Sequence, residues 1–78
     1  MNKSRRATIT KAEVLITEAR AFLEAVRDEE QDAYDAMPES FQNGERGEAS
    51  TVCLDALNEI IESVETAEGG CPEARGEG

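Results

Sequence analysis

The chain has 78 residues, 38% of them hydrophobic, with no Trp, two Phe, one Tyr and a formal net charge of −10. A chain this short forms one small domain and buries only about 60% of the surface it exposes when unfolded. The composition is too apolar for disorder and too poor in aromatics for a stout core, while the acidic balance repels DNA, RNA and anionic membranes.

Residues 1–11 carry Lys3, Arg5, Arg6 and Lys11 without an acid, whereas the remainder sets four Arg against eighteen carboxylates, a balance of −14. Residues 1–10 are expected to form a flexible basic arm. On a frayed end these charges read most simply as inert or as paired with the acidic body. Glu13 and Glu18 interrupt "AEVLITEA", so no signal-peptide core follows the basic start, and a cytoplasmic location in a host cell is expected. No window approaches the roughly eighteen apolar residues of a membrane span.

Thr10 and Glu13 match the Ser/Thr-x-x-Glu pattern of a capping box. Beyond them Leu15, Ala19, Phe22 and Val26 recur at i, i+4, i+7 and i+11, with Ala12, Ile16 and Leu23 widening the stripe. This spacing predicts an amphipathic helix from about Lys11 to Asp28. Ala33, Tyr34 and Met37 continue its face and allow it to reach Ala36, but Glu30 falls on the same face and allows a kink or break.

The stretch "RDEEQDAYDAMPESFQNGERGE" packs five carboxylates into the eight residues Asp28 to Asp35. Counted from Asp28, Glu30, Asp32, Tyr34 and Glu39 fall at EF-hand ligand positions, but Ala33 stands where the sharp turn needs Gly, and Asp35 where an apolar residue belongs. Acid-rich helices match such patterns by chance, so calcium binding is not the expected reading. Pro38 disfavours helix for Met37 and can start a one-turn helix "PESFQ", anchored by Phe41 and stopped at Asn43-Gly44.

A second long helix is predicted from near Glu45 or Glu48 to about Ala67. Its stripe is Cys53, Leu57, Ile60 and Val64, broadened by Leu54 and Ile61 on one side and by Ala49, Ala56 and Ala67 on the other. Gly69-Gly70 is expected to end it, leaving residues 69–78 as a flexible tail. The expected fold is all-α: an antiparallel hairpin of two long amphipathic helices with a short helical connection, forming one domain over residues 11–68. The stripes are wider than a two-helix seam. Either Tyr34, Met37 and Phe41 fold back over them, or a second copy covers them in a four-helix bundle, so monomer and homodimer both stay open.

The sequence offers little catalytic chemistry, and no enzyme activity or cofactor is expected. Without His the commonest general base and metal ligand are gone. Cys53 lies on the apolar stripe and reads as a buried, inert thiol. Cys71, near the terminus, reads as a free thiol or as the site of an accidental intermolecular disulfide, and its place beyond the helix argues against a bridge to Cys53. The glycines of "NGERGE" are followed by acids, which repel phosphate.

Charge geometry is more informative. At about 100° per residue, Glu48, Asp55, Glu59 and Glu62 fall in a sector roughly 60° wide, opposite the apolar stripe. Glu13, Glu24, Asp28 and Asp35 share a similar sector of the first helix. No Lys or Arg occurs from Ala49 to Ala67, although like charges at i, i+4 each cost a few tenths of a kcal/mol. Such a face serves either solubility or a partner with a basic surface. The candidate partner-binding residues are Asp28, Glu29, Asp32, Asp35, Glu48, Asp55, Glu59 and Glu62.

The Arg-acid-acid-acid-Gln run, the Tyr-Asp-x-Met-Pro-Glu-Ser turn and the Gly-Glu opening of the final helix, followed by "LDALNEIIESVE", resemble small acidic helical proteins encoded by phages and prophages. The resemblance covers roughly half the chain and assigns no functional residue. It implies a mobile-element context, in which short acidic proteins often antagonise host defence. Some anti-CRISPR proteins are similar in size and charge and act as DNA mimics. The partner expected on this basis is a basic nucleic-acid-binding host protein or complex, such as a CRISPR surveillance complex.

Overall fold

The computed structural model describes residues 1–76. Among these, the chain forms α1 (Lys3–Asp35), the one-turn α2 (Glu39–Gln42) and α3 (Glu45–Ala74). α1 and α3 pack side by side as an antiparallel hairpin closed by α2.

α1 begins at Lys3 instead of Lys11, so the expected basic arm is helical. The cap is Asn2, whose Oδ1 accepts the Arg5 N–H at 2.8 Å. Thr10 is not a cap: it lies inside the helix and its Oγ1 donates to the Arg6 carbonyl. No break occurs at Glu30. Its Oε1 accepts a hydrogen bond from the buried Ser50 hydroxyl at 2.8 Å, which satisfies both polar groups in the seam. Residues 28–35 are therefore helix and not an ion-binding loop, with Asp28 exposed and Glu30 turned toward α3.

The seam follows steps of three and four. Along α1, Ile9, Glu13, Ile16, Arg20, Leu23, Arg27, Glu30 and Tyr34 are half-buried. Along α3, Gly47, Ser50, Leu54, Leu57, Ile61, Val64, Glu68 and Cys71 are buried or half-buried. This is the seven-residue spacing of coiled-coil packing, in which a helix gives its partner only two columns. The α1 seam thus differs from the expected stripe. Leu15, Phe22 and Val26 remain 58%, 73% and 52% exposed, and Ala19 is exposed as well. On α3, Cys53 and Ile60 are exposed, so Cys53 is not the buried thiol expected, whereas Cys71 is buried. The physical cause is charge: the seam is turned so that Glu13 and Arg20 on α1 meet Arg75 and Glu68 at the far end of α3.

The same contacts explain why Gly69-Gly70 does not stop α3. The seam continues past the glycines through Cys71 to Arg75, which pairs with Glu13, and the last turns are held even with Pro72 inside the helix. The expected tail is helical as far as Ala74, and residues 77–78 lie outside the described residues.

The core of the hairpin is thin. Its buried apolar side chains are Leu54, Ile61 and Cys71, and none of the described side chains falls below 2% exposure. Tyr34 and Met37 are half-buried at the turn and Phe41 is 51% exposed, beside Arg46, so the connection leaves the stripes uncovered. The turn is fixed instead by Gln42, whose Nε2 donates to the Tyr34 carbonyl at the end of α1, and by Gly47, whose Cα lies directly against the Gln42 backbone.

Candidate functional site

Each seam residue has one neighbour a step ahead in sequence and one a step behind, turned about 100° in opposite senses. Asp28 and Asp35 follow the seam residues Arg27 and Tyr34, just as Glu48, Asp55 and Glu62 follow Gly47, Leu54 and Ile61. In an antiparallel pair this turn carries both rows to the same broad side of the hairpin. The residues that precede the seam are Ala12, Ala19 and Val26 on α1 and Cys53, Ile60 and Ala67 on α3. They share the opposite side. Ile16, Ala19, Ile60, Val64 and Ala67 accordingly line one open groove there. The hairpin therefore has one acidic face and one apolar face.

All eight predicted acids are exposed. Asp28, Asp35, Glu48, Asp55 and Glu62 come together on the acidic face. Asp32, Glu29 and Glu59 do not: Asp32 and Glu59 lie on the outer edges of their helices, with Glu59 bordering the apolar groove, and Glu29 precedes the seam residue Glu30 and lies on the apolar side, one heptad beyond Phe22. Glu65, which sequence reasoning passed over, joins the acidic face because it lies nearly one turn beyond Ile61 on the Asp55–Glu62 side.

Among the described residues, the cations that pair with acids along this face come from the seam. Arg27 Nη2 lies 3.2 Å from Asp28 Oδ1, and its Nη1 donates to Asn58 Oδ1 at 3.5 Å. Arg20 pairs with Glu24 at 2.8 Å and with Glu68 across the seam. Among the described residues, Asp32, Asp35, Glu48, Asp55 and Glu62 make no ion pair, so their field is not neutralised locally.

Glu68 is the electrostatic clasp between the helices. A hydrogen bond donated by the Thr17 hydroxyl at 2.8 Å, aided by hydrogen bonding and charge from Arg20, holds its carboxyl below the ordinary value of 4.5 against the opposing effect of burial. Hydrogen bonding to Glu68 and its charge raise Arg20 in turn. A depressed folded pKa stabilises the fold fully above the unfolded value, and the effect is lost as pH falls through the folded value. Glu68→Gln is therefore expected to melt below the wild type at neutral pH. That gap should close as the pH is lowered below about 4.5, which thermal melts followed by circular dichroism at several pH values will show.

No family model matches the chain, and neither the curated proteins nor the solved structures compared with it gave a match.

Proposed function

We propose that this chain is a non-enzymatic, phage-derived interaction protein that sets its acidic face into the basic nucleic-acid groove of a host defence complex and excludes DNA, in the manner of an anti-CRISPR DNA mimic. The observation that carries this reading is the predominantly acidic face, where acids from two helices converge and Asp35, Glu48, Asp55 and Glu62 make no ion pair among the described residues. Along α3, Glu48, Asp55 and Glu62 are spaced by about 10.5 Å, close to three phosphate steps of about 3.4 Å on one DNA strand. The match is one of potential and not of individual phosphates, which suits a groove that reads backbone charge.

A reversal of Asp35, Asp55 and Glu62 to Lys tests it. Binding to the partner complex should fall roughly 100-fold or more, because each reversal turns an attraction into a repulsion. Helix content by circular dichroism should not change. Retained binding in this variant would contradict the proposal. The exposed apolar face favours a second reading, a helical assembly module in which the acids serve solubility alone. That reading expects the opposite sensitivity, with Ile60→Asp abolishing function and the reversals leaving it intact.

A further inference from the structure

We propose that the apolar face is covered by the same face of a second copy, in an antiparallel two-fold pairing that completes a four-helix bundle. The inference rests on the assembly reading of this face and is independent of the acidic one.

A compact chain of 8.5 kDa exposes about 4,700 Å², and this one exposes 5669 Å². The excess of about 1,000 Å² is comparable to the roughly 800 Å² that each partner hides in a standard interface. The radius of gyration is 17.5 Å, against about 11–12 Å for a compact domain of this length. The hairpin is a rod of 58 × 15 × 14 Å with a thin core, and apart from Val14 and Val52 the large exposed apolar side chains of its two long helices gather on one side of it. Leu15, Phe22, Val26 and Ile60 are 58%, 73%, 52% and 47% exposed.

The α1 stripe runs from Ala12 to Val26 and is centred on Ala19, which is also the midpoint of α1 (Lys3–Asp35). A two-fold axis crossing the rod at Ala19 therefore overlays α1 on α1 along its whole length; because Arg20 meets Glu68, the axis passes near the far end of α3, and α3 overlaps its mate over its C-terminal half.

Charge complementarity selects this orientation. It sets the basic first turns of one copy, with Arg5 and Lys11, at the same end of the bundle as the acid-rich turn of the other, where Glu29 lies on the paired side. A two-fold axis parallel to the helices would instead stack the two acidic turn ends on each other. The antiparallel pairing also leaves the acidic face of each copy outward, on opposite sides of the bundle.

Sedimentation equilibrium of the full chain at micromolar concentration should give about twice the 8.5 kDa of one copy. Phe22→Asp combined with Ile60→Asp should give the single-copy mass. Because that variant can also lose its fold, a cross-link provides an independent reading. In a Cys53→Ser background, Ala19→Cys meets its own mate at the axis and should form an interchain disulfide on mild oxidation. Wild-type Cys53 lies roughly 10 Å or more from the axis, hence about 20 Å or more from its mate, and should not. Arg5→Glu with Lys11→Glu should weaken the dimer roughly tenfold or more. A single-copy mass for the wild type would overturn the proposal, as would a folded monomer that binds only a different protein through this face. So would a dimer that fails to cross-link through Ala19→Cys. None of these outcomes alters the charge-reversal test of the acidic face.

Discussion

Gly47→Ala is expected to destabilise the hairpin by about 3 kcal/mol or more. A Cβ at this position would sit 1.8 Å from the Gln42 carbonyl oxygen, 2.3 Å from its carbon and 2.6 Å from its Cα. These are backbone atoms of α2, so no side-chain rotation relieves the clash. Either α2 or the first turn of α3 must move. Movement of α2 breaks the Gln42 bond to the Tyr34 carbonyl, and movement of α3 separates the Ser50 hydroxyl from Glu30. Gly69→Ala is the matched control. Nothing lies within 4 Å of the Cβ it would add, and removing a helical glycine should stabilise by roughly 0.5–1 kcal/mol. Melting curves of the two variants should move in opposite directions. A Gly47→Ala protein that melts with the wild type would refute the described packing of α2 on α3.

Ile61→Ala should remove about 2–5 kcal/mol. A domain of this length has roughly 4–12 kcal/mol in total, so the loss is a large share of its stability. Ile61 is 4% exposed, the lowest value in the apolar core, and among the described residues it shares that core with Leu54 and Cys71. The adjacent Ile60, 47% exposed, separates fold from assembly. Ile60→Ala should leave the hairpin folded and weaken only the pairing of copies. Urea titrations should show a large fall in midpoint for the Ile61 variant at any protein concentration. The Ile60 variant should shift only at concentrations where the wild type is dimeric. Equal shifts for both residues would contradict the assignment of Ile61 to the seam and Ile60 to the face.

The hairpin and its short connecting helix were legible in the spacing of apolar residues, in Pro38 and in Asn43-Gly44. The seam was not. The apolar stripe of α1 is wide enough for two contacts, and periodicity cannot tell which half the partner helix will take. That choice rests on Glu13, Arg20 and Glu68, polar residues whose partners lie at the opposite end of the chain. The helix ends were hidden for a related reason. Thr10 has the signature of a cap, but the uninterrupted residues before it let Asn2 do the capping, and Gly69-Gly70 reads as a stop until Cys71 and Arg75 are seen packed on α1. The acidic rows were legible helix by helix. Their convergence on one face, and the departure of Asp32 and Glu59 to the edges and of Glu29 to the apolar side, depended on the antiparallel packing.

On the proposed function, the acidic face imitates nucleic acid for a basic host complex. The most direct test is affinity capture from host lysate with the full chain as bait, at low and high salt, with duplex DNA added as competitor. The expected result is a nucleic-acid-binding complex that is released by DNA and lost as salt rises. Capture that is indifferent to both DNA and salt, or capture of further copies of the chain alone, would contradict it.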